Sequence, residues 1–333
     1  MTCIKRLLVL CCGLFAFLPQ VVLADNQANF TVRAEPSAYQ VDKDKTYFDL
    51  SLPAETPVDL VVHVTNNADQ AITVKGEVAP ATTNVNGVVE YGVTTNKLTA
   101  DVPFDLKQVA KFEQETQVID PKQTVDFILH LTTPTQDYAG LVAGGLTFTD
   151  VTESDSSQEK SLFENRFAYA IALLLHGNQA DTPTEVALTK VTATQLSGRN
   201  ILSSSIVNQS ANYINQVTLK AKVLNAKKKV ILKDEKTNLQ IAPNSIFQYP
   251  LYYNGQKMKA GRYTIKITLT SKEKTWHLEQ TVKISQKKAQ TLNRTDVTPK
   301  EEKASNWLIW LLVGIVAILL LIIAYLIWKQ RRR

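Results

Sequence analysis

Cysteine is nearly missing from this chain of 333 residues: there are three, Cys3, Cys11 and Cys12. All three lie in a segment with the character of an export signal, so the mature chain would have none. That excludes disulfides as staples and leaves stability to core burial. Histidine is almost as scarce. His63, His130, His176 and His277 fall in separate strand-like runs without His-x-x-His spacing, so no metal site is expected. Asp42, Asp44 and Asp49 lack the glycine and terminal glutamate of a calcium loop. No phosphate loop, Gly-x-Ser-x-Gly elbow or dinucleotide fingerprint occurs. Gly144-Gly145 sits in an apolar segment, where glycines mark a bulge or a close backbone approach rather than an oxyanion hole. The chain therefore reads as a non-enzyme without catalytic residues, cofactor or metal.

Long apolar runs are present only at the two ends. Lys5 and Arg6 precede Leu7–Leu18, and small residues follow around Val22-Leu23-Ala24, the pattern of a signal peptide (1–24) cleaved after Ala24. Trp307–Trp328 is free of charge, and its 22 residues form a helix of about 33 Å, enough to cross a hydrocarbon core of about 30 Å. Trp307 and Trp310 at one end, with Tyr325 and Trp328 at the other, suit the two headgroup layers. Lys329, Arg331, Arg332 and Arg333 hold that end in the cytoplasm. No Leu-Pro-x-Thr-Gly sorting site precedes the run. The expectation is a single-pass cell-membrane protein with one C-terminal transmembrane helix (307–328), a basic cytoplasmic tail (329–333) and everything before Trp307 outside.

The net charge of +6 is carried by the two termini, which removes any nucleic-acid inference. Between them the halves oppose each other. Residues 25–180 hold 10 Lys and Arg against 22 Asp and Glu; residues 181–306 hold 21 against 9. The sign changes near Gly177 and Pro183. Two domains are expected, 25–180 and 181–290, followed by a polar linker, 291–306, with different partners or an attraction for each other.

Both halves carry strand signals. Val58–Val64, Ala71–Ala79, Val88–Tyr91, Val125–Leu131, Gly140–Phe148 and Arg166–Leu175 read as strands of the first, with a turn at Asn84-Val85-Asn86-Gly87 and a short helix within Phe104–Phe112. Glu185–Ala193, Ile201–Asn208, Val217–Leu224 and Val230–Leu232 read as strands of the second. Tyr263–Leu269 and Trp276–Ile284 alternate as a hairpin with one buried face. The fold class is all-β, two consecutive Ig-like β-sandwich domains. Aromatic and amide residues in loops suit glycan recognition, and Tyr47, Asn84, Asn86, Tyr91 and Tyr138 in the first domain, with Tyr249, Tyr252, Tyr253 and Asn254 in the second, are the ligand-binding candidates.

Several blocks, in order, carry a resemblance. In the first half they are Phe30-Thr31-Val32 leading to Pro36 and Gln40, Tyr47-Phe48-Asp49-Leu50, Asn66-Asn67, Ala81–Gly87 with Tyr91, and Gly140–Gly145. In the second they are Ile241–Ser245, Lys259–Tyr263, Trp276 and Ala289–Asn293. In these the chain resembles the WxL-interacting proteins of Gram-positive bacteria, and the lack of cysteine suits that surface. The resemblance implies an N-terminal peptidoglycan-binding domain, a C-terminal domain that binds host extracellular matrix proteins, a membrane anchor, and partners among WxL-domain surface proteins. The usual Pro-Gly before the second long strand is here Pro53-Ala54-Glu55. The competing readings are a stand-alone membrane-anchored adhesin, a passive stalk and a cell-wall-modifying enzyme.

Overall fold

The computed structural model describes residues 29–152, 167–177, 179, 183–298 and parts of 311–321. The expected signal peptide, the basic tail, and Trp307, Trp310, Tyr325 and Trp328 lie outside the described residues. Residues 311–316 are helical, and among the described residues no helix is long and apolar enough to cross a membrane.

The first half contributes β1 (Phe30–Ala34), β2 (Phe48–Ser51), β3 (Pro57–Asn66), β4 (Ile72–Pro80), the short hairpin β5 (Thr82–Thr83) and β6 (Val89–Glu90), α1 (Leu106–Val109), β7 (Ala110–Phe112), β8 (Thr116–Ile119), β9 (Thr124–Thr132), β10 (Leu141–Asp150) and β11 (Ala168–His176). One sheet runs β1-β3-β9-β7 and the other β2-β11-β10-β4-β8, with only β2 and β11 parallel among these pairs. Alternation decides which side chains enter the core. Leu60, Val62 and Val64 of β3 and Phe127, Leu129 and Leu131 of β9 point inward, where they meet Leu146, Phe148 and Leu173 of the second sheet. Phe112, Phe127 and Phe148 pack edge to face, with centroids 5.4–6.0 Å apart.

β10 is buried along almost its whole length, on both faces. Val142, Leu146 and Phe148 enter the first core; Leu141 and Ala143 face the opposite way, into a small cluster with Ala81, Val89 and Ala242. That is why β10 reads as a continuous apolar run instead of an alternating one. Its register with β4 and β11 is regular, so Gly144-Gly145 marks a close approach rather than a bulge. A Cβ on Gly145 would run into the Tyr91 carbonyl oxygen.

The second half contributes β12 (Val186–Leu196), β13 (Arg199–Asn208), β14 (Ile214–Asn225), β15 (Val230–Ile241), β16 (Ile246–Tyr252), β17 (Gly261–Thr270), β18 (Thr275–Ile284) and α2 (Gln286–Thr295). The sheets run β12-β13-β16 and β15-β14-β17-β18. Their inner faces share one core that includes Leu202, Phe247, Tyr249, Leu219, Ile265, Ile267 and Trp276.

One expectation is corrected here. The polar linker does not begin at residue 291, because α2 runs on to Thr295 and is docked. Ala289 and Leu292, three apart on one helical face, are buried. The Asn293 amide donates to the Met258 carbonyl (2.7 Å) and accepts from the Met258 N–H (2.8 Å), while Gln195 Nε2 donates to the Leu292 carbonyl (3.0 Å). The short helix expected within Phe104–Phe112 is present as a single turn, Leu106–Val109, capped by Asp105, after which the chain becomes β7.

Candidate functional site

The β5–β6 hairpin and the loop after it leave the first domain and lie along the end of the second. The hairpin's turn is self-capped: Asn84 Oδ1 accepts from the N–H groups of Asn86 (2.9 Å) and Val88 (3.1 Å), and its amide donates to Glu90 (2.8 Å). Gly87 has φ +73°, a left-handed conformation favoured by glycine. Here a Cβ would also lie 2.8 Å from Leu239 Cδ2 of β15. The Gly87 carbonyl accepts from Gln240 N–H (2.8 Å).

The centre of the junction is a buried ring of hydrogen bonds. Ala242 N–H donates to Thr83 Oγ1 (2.9 Å), Thr83 bonds Ser245 Oγ (3.1 Å), and Ser245 donates to the Ala242 carbonyl (2.8 Å). Further along, Thr99 N–H donates to the Asn244 carbonyl (2.7 Å), Ile246 N–H to Lys97 (3.2 Å) and Leu141 N–H to Ala211 (2.7 Å). The first domain thus supplies partners to backbone groups at the end of the second, beside the edges of β15 and β16.

On one flank the tyrosines Tyr91 and Tyr213 share a hydrogen bond of 3.1 Å. Burial, then the neighbouring Tyr91, and beyond it Tyr47 and Asp49, push the Tyr213 hydroxyl far above its ordinary titration range. Asp49 also bonds His176 Nε2 at 2.6 Å. Tyr213 further lines a polar cavity of about 330 Å³ with Asn215, Gln216, Lys272, Glu273 and Trp276. The junction therefore brings together Tyr47, Asp49, His176, Tyr91 and Tyr213, a patch of phenols beside a carboxylate–imidazole pair. Among the described residues no group of three or more His, Cys, Asp or Glu is placed to hold a metal; Asp42 instead pairs with Lys45 at 3.6 Å.

The ligand-binding candidates divide accordingly. Asn84, Asn86 and Tyr91 share the hairpin segment, with Asn84 spent on the turn and Asn86 exposed at its tip. Tyr47 and Tyr138 are half-buried against the first core; Tyr138 meets Phe104 edge to face at 5.1 Å, and burial raises its hydroxyl to about 12. Tyr249 and Tyr253 are core residues, 1% and 3% exposed, and the Tyr249 hydroxyl is spent on Asp234. Their rings offer no open face, and only Tyr252 of that group is half-buried on β16. Thr83, Tyr213 and Ser245 are the residues that sequence reasoning did not single out, while Asp49 and His176 were weighed there only as metal ligands. Thr83, Asp49 and Ser245 do fall inside the blocks that carry the family resemblance.

Comparison with known families decides the identity. A profile described as the WxL Interacting Protein peptidoglycan binding domain matches residues 30–150, and one described as the host binding domain matches 158–294. The chain belongs to the WxL-interacting protein family. The host-binding profile starts ahead of β11, although β11 pairs with β10 and β2 in the second sheet of the first domain. No curated protein matches the chain. Among solved structures, the Salmonella enterica SafA pilin–SafB chaperone complex is 10% identical, covering 76% of this chain and 97% of that one at TM-score 0.33. The E. coli chaperone DraB is 15% identical, covering 75% and 96% at 0.29. The Pseudomonas aeruginosa CupB2 chaperone is 11% identical, covering 72% and 98% at 0.29.

Proposed function

We propose that this chain is a membrane-anchored assembly component of the bacterial cell surface. Its first Ig-like domain, ending near residue 180, holds peptidoglycan; its second, ending with α2, engages the host; and a WxL-domain surface protein is held alongside. The segment 307–328 keeps the unit on the outer side of the cell membrane. The observation that supports this reading is the junction: two binding-domain families lie on one chain, and the first domain's hairpin supplies hydrogen-bond partners inside the second. Such a joint carries load between a wall-bound domain and a host-bound one without a flexible hinge. Both family descriptions are of binding domains, which favours a binder over an enzyme. The test is a pull-down with the purified full-length protein against insoluble peptidoglycan sacculi and against detergent-solubilised surface proteins. Recovery of a WxL-domain protein, together with sacculus binding, supports the scaffold. Host binding with neither would favour the stand-alone adhesin, and no ligand of any kind would favour the stalk.

A further inference from the structure

Strand register fixes what the outer face of the β15-β14-β17-β18 sheet presents. Lys222 of β14 lies opposite Lys233 of β15 on one side and Lys266 of β17 on the other, and Lys266 lies opposite Glu279 of β18. One row across the sheet reads Lys233, Lys222, Lys266, Glu279. The next row, two residues along each strand, reads Glu235, Lys220, Thr268, His277. Lys266 pairs with Glu279 at 2.9 Å and Lys220 with Glu235 at 3.3 Å. Lys222 and Lys233 form no salt bridge among the described residues. The β14–β15 turn adds Lys227, Lys228 and Lys229 beyond the end of the same face.

Like charges directly opposite each other on neighbouring strands cost stability, and Lys222 has one on each side. Folding does not require that arrangement, since a threonine or glutamine at either exposed position would serve the sheet better. At about 5 Å between strands, three lysines in register span roughly 10 Å across the sheet. The outward residues in these two rows other than lysine are Glu235, Glu279, Thr268 and His277, so the two rows lack the apolar centre of a protein–protein interface. Point-like ammonium groups, with no guanidinium fork in either row, suit a flexible polymer read by charge density.

We propose that this face binds a linear sulfated polysaccharide of the host matrix, through Lys233, Lys222 and Lys266 with Lys220 beside them. The proposal rests on the host-binding reading of the second domain and adds the ligand class and the surface.

The test uses purified full-length protein, with heparin as probe across a salt series. The Lys222→Gln/Lys233→Gln double variant is compared with Lys257→Gln/Lys287→Gln, which removes the same charge elsewhere on the second domain. The first pair is expected to weaken heparin binding about tenfold or more and to lower the salt slope by about one to two; the control pair should stay within about twofold. Without heparin the first variant should melt at the wild-type temperature or above it, because the row's repulsion is relieved, and heparin should raise the melting point of wild type only. Equal losses in the two variants would overturn the proposal. So would stronger binding to a phosphate-rich wall polymer than to heparin, or salt-sensitive self-association abolished by the same lysines. Retention of matrix proteins without any heparin binding would refute the polysaccharide and leave the host-binding reading standing.

Discussion

Thr83→Val is the most direct perturbation of the domain junction. Valine keeps the side-chain shape and removes one oxygen, which is 1% exposed as part of Thr83 and sits between Ala242 and Ser245, both fully buried. Ala242 N–H, donating at 2.9 Å, loses its acceptor, and Ser245 Oγ loses its partner at 3.1 Å. An orphaned buried donor costs about 1–3 kcal/mol and the second bond about 0.5–1.5, so the loss should be about 2–4 kcal/mol. At about 2–4 °C per kcal/mol, the melting point should fall by roughly 4–16 °C. Ser245→Ala breaks the same ring, so the double variant should lose clearly less than the sum of the singles. Thermal unfolding gives the size, and hydrogen exchange gives the place: the Ala242 amide and neighbouring segments of the second domain should lose protection although the substitution lies in the first. Unchanged exchange across residues 239–247 would refute the reasoning.

Three further outcomes are expected. Glu55 occupies the left-handed region at φ 54°, a conformation that favours glycine, so Glu55→Gly should be neutral or stabilising by up to about 1 kcal/mol in chemical denaturation. Burial raises the Tyr138 hydroxyl to about 12 and raises Tyr213, Tyr249 and Tyr253 as well, so these phenols stay neutral in the fold after the unfolded chain begins to ionise near about pH 10. Stability should be intact below that pH and fall as pH rises toward 12, which a pH series of unfolding midpoints measures; Tyr138→Phe should soften the fall. Asn293→Ala should release α2, cost about 1–3 kcal/mol and expose residues 286–298 to limited proteolysis, whereas a loose linker would already be cleaved in the wild type.

Strands with one wet face were legible because period-two alternation is a direct record of burial. β3, β9 and the β17–β18 hairpin follow the residues that alternate. β16 was read instead as a loop of tyrosines. Pro250 breaks the strand pattern, and a proline is tolerated there because β16 lies at the edge of its sheet. Consequently Tyr249 and Tyr253 looked available for a ligand while they fill the second core. The α2 helix was hidden by its lysines and glutamines, since only Ala289 and Leu292 need to be apolar to dock it. The junction left the weakest trace. Thr83 and Ser245 are ordinary residues whose importance lies in pairing across a separation of 162 positions, which no local pattern encodes. The charge reversal between the halves was legible as a sum, but only strand register aligns Lys233, Lys222 and Lys266 in one row.

The proposed scaffold requires the two domains to form one mechanical unit. Hydrogen exchange of the full-length protein through a denaturant series, followed by mass spectrometry, reads both domains in a single sample. The prediction is one shared midpoint for segments from β3 and β9 and for segments from β14 and β17. Two well-separated midpoints, with the Ala242 amide following neither domain's core, would contradict it.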